Sequence, residues 1–209
     1  MYVEMIVLSM LRHGPMHGYE LKQRLRRVTL ASPSNNSLYP TLRRFESNGV
    51  ATKTVESQPG RPARNVYAIT EHGRAYFQTM ISSLPEALAG NEEEFLGRVA
   101  FFGEITVDQR QAILAAREAA LAERVGALRS LDGGQSRSAE RLGVDRRWRD
   151  ETTKRYIAVI EAEQGWIADL AAQIQDAQIQ DAQVLDAPIQ HARNQDAQIQ
   201  DSQSAKAGR

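Results

Sequence analysis

The 209-residue chain carries 26 Lys/Arg and 26 Asp/Glu, so its formal net charge is zero. It has no cysteine, which excludes disulfides, thiolate nucleophiles and cysteine-ligated metals. No apolar run approaches the roughly 20 residues that span a bilayer, and Glu4 interrupts the apolar N-terminus, unlike a signal peptide; a cytoplasmic protein is expected.

The neutral total conceals an asymmetry. Residues 1–80 hold 11 Lys/Arg against 5 Asp/Glu, a net +6, whereas residues 81–168 hold 12 against 15 and residues 169–209 hold 3 against 6, each a net −3. A basic first segment on an acidic remainder points to a polyanionic partner for the first segment.

Residues 2–12 are apolar on most sides and predict a short helix in the middle of a small core. Gly14-Pro15 breaks it. A second helix is expected from Tyr19 to about Val28, with Leu21, Leu25 and Val28 on one face and Lys22, Arg24, Arg26 and Arg27 on the other. Residues 29–35, rich in Ser, Pro and Asn, read as a turn.

The stretch Asn35–Gly49 predicts a third helix. Leu38, Leu42 and Phe45 recur at i, i+4 and i+7 and mark a buried face. Asn36, Tyr39, Pro40 and Arg43 share another face, whose amide, phenol and guanidinium groups suit base edges and phosphates. Asn36 or Ser37 is the expected cap, with Pro40 in the first turn and Asn48-Gly49 at the end. An amphipathic helix with a merely solvated face would have the same periodicity.

Val50–Ser57 partly alternates and is rich in Val and Thr, so it reads as a strand. Gln58–Arg64 is expected as a turn segment whose two arginines project from the tip, and Val66–Ile69 as the returning strand. Thr70-Glu71 has the chemistry of a helix start, and the fourth helix continues through Tyr76, Phe77, Met80 and Ile81.

Helix, helix, helix, strand, arginine segment, strand, helix is the order of a winged helix-turn-helix. In such folds the third helix enters the major groove and the wing reaches the backbone or minor groove. The expected DNA-contacting residues are Asn35, Asn36, Ser37, Tyr39, Pro40, Thr41, Arg43 and Arg44 on the third helix, with Lys53, Arg61 and Arg64 on the wing.

Residues 1–81 resemble the phenolic-acid-decarboxylase repressor (PadR) family of transcriptional regulators. The resemblance is carried by Gly14-Pro-Met-His-Gly-Tyr-Glu-Leu21, Leu38-Tyr-Pro-Thr-Leu42, Phe45-Glu46 with Gly49, Gly60-Arg-Pro62, Tyr67 and Thr70-Glu-His-Gly-Arg74. One departure stands before the third helix, where the family often has Gly-Thr or a similar pair and this chain has Asn36-Ser37.

Ser82-Ser83, Pro85 and Gly90 mark a joint between domains. Glu92–Phe102 is expected as a helix with Phe95, Val99 and Phe102 on its apolar face. Thr106-Val-Asp-Gln109 is a capping-box pattern, and the helix after it runs to about Leu131 with Leu114, Leu121 and Leu128 seven apart. Asp132-Gly-Gly134 ends it. A further helix is expected over about 138–171, with Tyr156, Ile160, Ile167 and Leu170 on one face and Trp148 and Trp166 near its ends.

This region is similar to the C-terminal helical domain of the larger PadR-like subgroup, most closely at Glu163–Leu170, so the resemblance covers about 1–171. It implies a homodimer built through Leu114, Leu121, Leu128, Tyr156, Ile160, Trp166, Ile167 and Leu170; the periodicity fits an intramolecular helical hairpin equally well. It also implies a site for a planar aromatic effector, with Phe95, Phe102, Trp148 and Tyr156 as candidates, although core packing accounts for aromatics at these places as well.

From residue 173 a five-residue Gln-Ile-Gln-Asp-Ala unit repeats with decay; one copy opens on Pro188, and Asn194 takes the Ile position in another. A period of five turns each Ile by about 140° around an α-helix, so no apolar stripe forms. A low-complexity, mostly disordered tail is expected, with a pentad-repeat coil as the alternative.

The expected architecture is mainly α with a small β-hairpin. A winged helix-turn-helix occupies 1–84, a long-helix dimerisation domain 85–171 and the repeat tail 172–209. His13 and His17 are separated by Gly14-Pro15 and share no helix face, and no Ser/His/acid grouping is local. No enzyme activity, metal or cofactor is therefore expected. The expected partners are double-stranded DNA, a second copy of the chain and a small aromatic effector, with no membrane. The competing class is a winged-helix adaptor that binds protein instead of DNA.

Overall fold

The computed structural model describes the backbone at residues 2–28, 35–58, 61–133 and 146–207, and side chains at 2–27, 38–57, 63–130 and 147–178. The chain forms two compact units, Met1–Gly134 and Gln135–Arg209.

The first unit is organised around α1 (Tyr2–Leu11), a ten-residue helix of which seven residues are buried: Glu4, Met5, Ile6, Val7, Leu8, Met10 and Leu11. Its apolar surface on most sides lets it touch several neighbours at once. These are α2 (Gly18–Val28), α3 (Asn35–Ser47), α4 (Glu71–Ile81) and α6 (Glu92–Val99). Leu21, Leu25, Leu38, Leu42, Phe45, Phe77 and Ile81 complete the core, each at 2% exposure or less. The face expected of α3 is thus buried as its periodicity requires, while Val28 lies outside the described side chains.

The sheet has three antiparallel strands in the order β1-β3-β2: β1 (Met16–His17), β2 (Ala51–Gln58) and β3 (Arg61–Ile69). β1 was not expected. Two residues carry no alternation, and Met16 and His17 become a strand only by pairing with Tyr67 and Val66. The wing also differs from expectation. Gln58 pairs with Arg61, so the strands run on almost to the tip, and Arg61 and Arg64 belong to β3 instead of a seven-residue turn. Pairing across the ladder satisfies backbone groups that a long loop would leave to water.

Two capping arrangements fix the helices on either side of the wing. α3 ends in a Schellman turn: Gly49 has φ 68°, its N–H donates to Glu46 O at 3.2 Å, and the Val50 N–H donates to Phe45 O at 2.8 Å. Thr70 caps α4, its Oγ1 accepting from the Gly73 N–H at 2.9 Å. The same hydroxyl donates to Gly49 O at 2.7 Å, which ties the end of α3 to the start of α4. Gly73 is required there, because a Cβ would stand 2.1 Å from Val50 O.

The joint expected at 84/85 falls inside the first unit. A short helix, α5 (Glu86–Ala89), occupies part of it, and Asn91 caps α6 by accepting from the Glu94 N–H. α6 stops at Val99, and Phe102 opens a 3-10 turn (Phe102–Glu104), so the single helix expected to Phe102 is two elements. α6 is held to α1 and to the segment after α4 by polar contacts that periodicity could not reveal. The Tyr2 N–H donates to Glu94 Oε1 at 2.6 Å, and the fully buried Arg98 donates to Glu94 Oε2 at 3.0 Å and to Ser83 O at 2.6 Å. α7 (Val107–Gly133) begins with the expected capping box: the Thr106 N–H donates to Gln109 Oε1 at 3.0 Å and the Gln109 N–H to Thr106 Oγ1 at 3.3 Å. Buried Arg117 on α7 donates to Ala89 O at 2.8 Å and lies 5.6 Å from the Phe95 ring centroid.

The described part of the second unit is one helix, α8 (Arg146–Ala207). The expected start at 138 lies outside the described residues. The helix bounds run on through the repeat segment to Ala207. Propagating a helix that is already formed avoids the cost of nucleation, and Ala and Gln, which dominate the repeat, are good helix formers. Among the described residues no helix is long and apolar enough to cross a membrane.

Candidate nucleic-acid interface

The outward face of α3 follows from which residues its core face consumes. Leu38, Thr41, Leu42 and Phe45 are buried, and Tyr39, Pro40, Arg43, Arg44, Glu46 and Ser47 are exposed. Thr41 was expected to reach DNA, but it is 6% exposed, one turn before Phe45 on the core side. Asn35, Asn36 and Ser37 form the first turn of α3, and their side chains lie outside those described. Since the helix starts at Asn35, neither Asn36 nor Ser37 stands before it as the expected cap.

Both edges of this face are tied down by ion pairs. On the α1 side, Arg44 Nη2 pairs with the buried Glu4 Oε1. On the wing side, Lys53 Nζ on β2 lies 3.8 Å from Glu46 Oε2. Two expected DNA contacts, Arg44 and Lys53, are therefore engaged with carboxylates. Arg43 has no ion-pair partner among the described residues.

Beside Tyr39, a cleft of about 480 Å³ opens between the N-terminus of α2 and β3. His17, Gly18, Tyr39, Arg64 and Tyr67 are among its walls. A Cβ on Gly18 would lie 3.4 Å from the Tyr67 ring and 3.5 Å from the Tyr39 ring, so this glycine sits between two phenols. Tyr67 is 5% exposed, and burial raises its pKa above the ordinary 10.0; Glu46 and Tyr39 add to this and Arg43 opposes it. Its hydroxyl is therefore a neutral donor at physiological pH. His17 Nδ1 is buried without a hydrogen-bond partner, and its Nε2 lies 3.9 Å from Glu56 Oε2. A helix N-terminus, a phenol, an imidazole and an exposed arginine together suit an anion. Sequence reasoning missed this cleft, because β1 alone brings His17 alongside β3. Arg64 is exposed at the outer end of β3, and the side chain of Arg61 lies outside those described.

The residues expected to join two chains divide by exposure. Leu114 and Leu121 on α7 and Ile160 and Ile167 on α8 are buried, and Leu128 and Leu170 are half-buried. Tyr156 and Trp166 are exposed, as are Trp148 and Val159. The four expected effector-site residues do not share one environment. Phe95 and Phe102 are buried in the first unit at 0% and 8% exposure, whereas Trp148 and Tyr156 line an open hollow on α8 with Thr152 and Arg155.

Residues 7–79 match the model of the transcriptional regulator PadR-like family. A transcriptional regulator from Clostridium thermocellum is 31% identical over 37% of this chain and 77% of its own, with a TM-score of 0.35. A PadR family transcription regulator from Clostridium difficile is 21% identical over 38% of this chain and 82% of its own, with a TM-score of 0.35. Bacillus subtilis PadR, solved in complex with operator DNA, is 16% identical over 83% of this chain and 99% of its own, with a TM-score of 0.37. No curated protein matches the chain. The matched segment runs from α1 through the wing into α4 and contains the exposed α3 face and the cleft, and over this segment the chain is a PadR-like transcriptional regulator.

Proposed function

We propose that the protein is a homodimeric repressor that binds an inverted-repeat operator in double-stranded DNA and is released by a small planar aromatic effector. The observation that carries the DNA reading is the outward face of α3. Tyr39, 41% exposed, and Arg43 stand one turn apart between two edges held by ion pairs. In this reading Tyr39 and Arg43, with Asn36, enter the major groove. The cleft between α2 and β3 receives a backbone phosphate, and Arg61 and Arg64 reach phosphates or the minor groove from the wing. The basic balance of residues 1–80 supports the same partner.

The second copy docks on the exposed aromatics of α8, because Trp148, Tyr156, Val159 and Trp166 fall within an arc of about 80° on an α-helix. An aromatic stripe left in water is the usual mark of a protein interface. The hollow bearing Trp148 and Tyr156, with the Arg155 guanidinium in its wall, supplies stacking surface and a positive charge for the effector. An effector that favours one spacing of the two recognition helices releases DNA through its differential affinity for the two states.

The test is a mobility shift on the protein's own promoter region. Tyr39→Ala is expected to weaken binding by roughly 10-fold or more, the scale of losing a base-edge contact, with an unchanged circular dichroism spectrum. Equal affinity of the variant would remove Tyr39 from the interface. Failure of the wild-type chain to shift any duplex would leave the adaptor reading in its place.

A further inference from the structure

We propose that Glu4 is a specificity-determining residue that keeps Arg44 off the DNA backbone. The proposal rests on the DNA-binding reading above. Arg43 and Arg44 are neighbours on α3, about 100° apart around its axis. Arg43 shares the outward face with Tyr39 and has no ion-pair partner among the described residues, whereas Arg44 lies toward α1 and pairs with Glu4.

The two ends of that pair are unequal. The Glu4 side chain is 8% exposed and that of Arg44 is 55% exposed. A carboxylate on a core helix has lost most of its water and holds a guanidinium more strongly than an exposed one would. The arginine remains in solvent along most of its length. Without its partner it would be a long, flexible cation at the rim of the recognition helix.

Such a cation reads no base. It gains affinity from phosphates on every sequence alike, and that gain lowers the ratio of operator binding to random binding. Holding Arg44 on Glu4 leaves Arg43 as the α3 arginine available to DNA. An acidic residue in the core of a basic domain therefore sharpens recognition by removing a cation from the contact set.

The experiment titrates the full chain against a promoter duplex and a random duplex over a range of salt. Glu4→Gln keeps the shape of the side chain and removes its charge. On the random duplex it is expected to bind more tightly and to steepen the slope of log K against log salt by about 0.9, the value of one phosphate contact. Adding Arg44→Gln should return the slope to that of the wild type. In the wild-type background Arg44→Gln alone should leave the slope unchanged, and Arg43→Gln should flatten it. Retention of the wild-type slope by Glu4→Gln, or a slope flattened by Arg44→Gln alone, would overturn the role given to Glu4 while leaving DNA binding intact. If Glu4→Gln does not fold, the Arg44→Gln slope decides by itself. Absence of wild-type binding to either duplex would instead defeat the DNA reading, and this proposal with it.

Discussion

The two units handle awkward chemistry in opposite ways. The first buries charge and gives it partners internally: Glu4, Glu94, Arg98 and Arg117 are all at 6% exposure or less, each with a partner in its own unit. The second exposes what would ordinarily be buried, with Trp148 at 62%, Tyr156 at 52% and Trp166 at 41%. Buried charges that meet their partners inside one unit hold that unit in one shape. An aromatic stripe in water costs free energy until another surface covers it. The difference teaches that the first unit is built to hold one shape, and that the second is built to meet something.

Breaking the first half of that contrast should have the largest effect. Arg98→Met removes one partner of a buried pair, and stability should fall by about 3–5 kcal/mol because Glu94 is left charged in the core. Equilibrium unfolding in urea reads this directly. The same pair sets a pH dependence. Burial by itself would raise the Glu94 pKa, but hydrogen bonds from Arg98 and from the Tyr2 N–H lower it below the ordinary 4.5. A carboxylate whose pKa is depressed in the folded state contributes stability that is complete above its unfolded value and is lost as pH falls through the folded value. The melting temperature should therefore decline as pH drops below about 4.5, and Glu94→Gln should show a smaller decline over the same range. An identical decline in both proteins would remove Glu94 as a source.

A next, smaller effect concerns the second half of the contrast. Replacing Trp148 and Trp166 together with Ser is expected to weaken self-association by roughly 30-fold, the scale of losing one interface hot spot, with helicity preserved. Sedimentation velocity at several concentrations measures it, and an unchanged dimer would place the interface elsewhere. The smallest expected effect is at the wing edge. Lys53 and Glu46 are partly exposed and 3.8 Å apart, so Lys53→Ala should change stability by less than about 1 kcal/mol. A larger loss would mean that the wing is anchored more firmly than its ion pair indicates.

What could be read from the sequence was what is local. The buried face of α3, its Asn48-Gly49 end, the Thr70 cap and the Thr106 capping box all lie within one or two turns, and spacing and side-chain chemistry decide them. Elements that exist only through distant partners escaped. β1 is a strand because of β3, and the wing strands extend because each supplies the other's hydrogen bonds. Charged residues misled most. Glu4, Glu94, Arg98 and Arg117 look in sequence like solvent-facing positions, and only their partners across the fold make burial tolerable. Arg44 was grouped with Arg43 because the two are adjacent, and the carboxylate that separates them in role belongs to another helix.

The hydroxyl of Thr70, bonded to Gly49 O and Gly73 N, fastens together the two residues between which the whole wing is strung. The hairpin is therefore an excursion with a closed neck. Lengthening or shortening it changes only the entropy of an already closed loop, about 0.6 kcal/mol for each doubling, and does not re-aim α3. Under selection for new binding sites, the wing is then free to drift in length and charge while the recognition helix keeps its bearing. Insertions at the hairpin tip are the cheapest route by which descendants of this chain could acquire different operators.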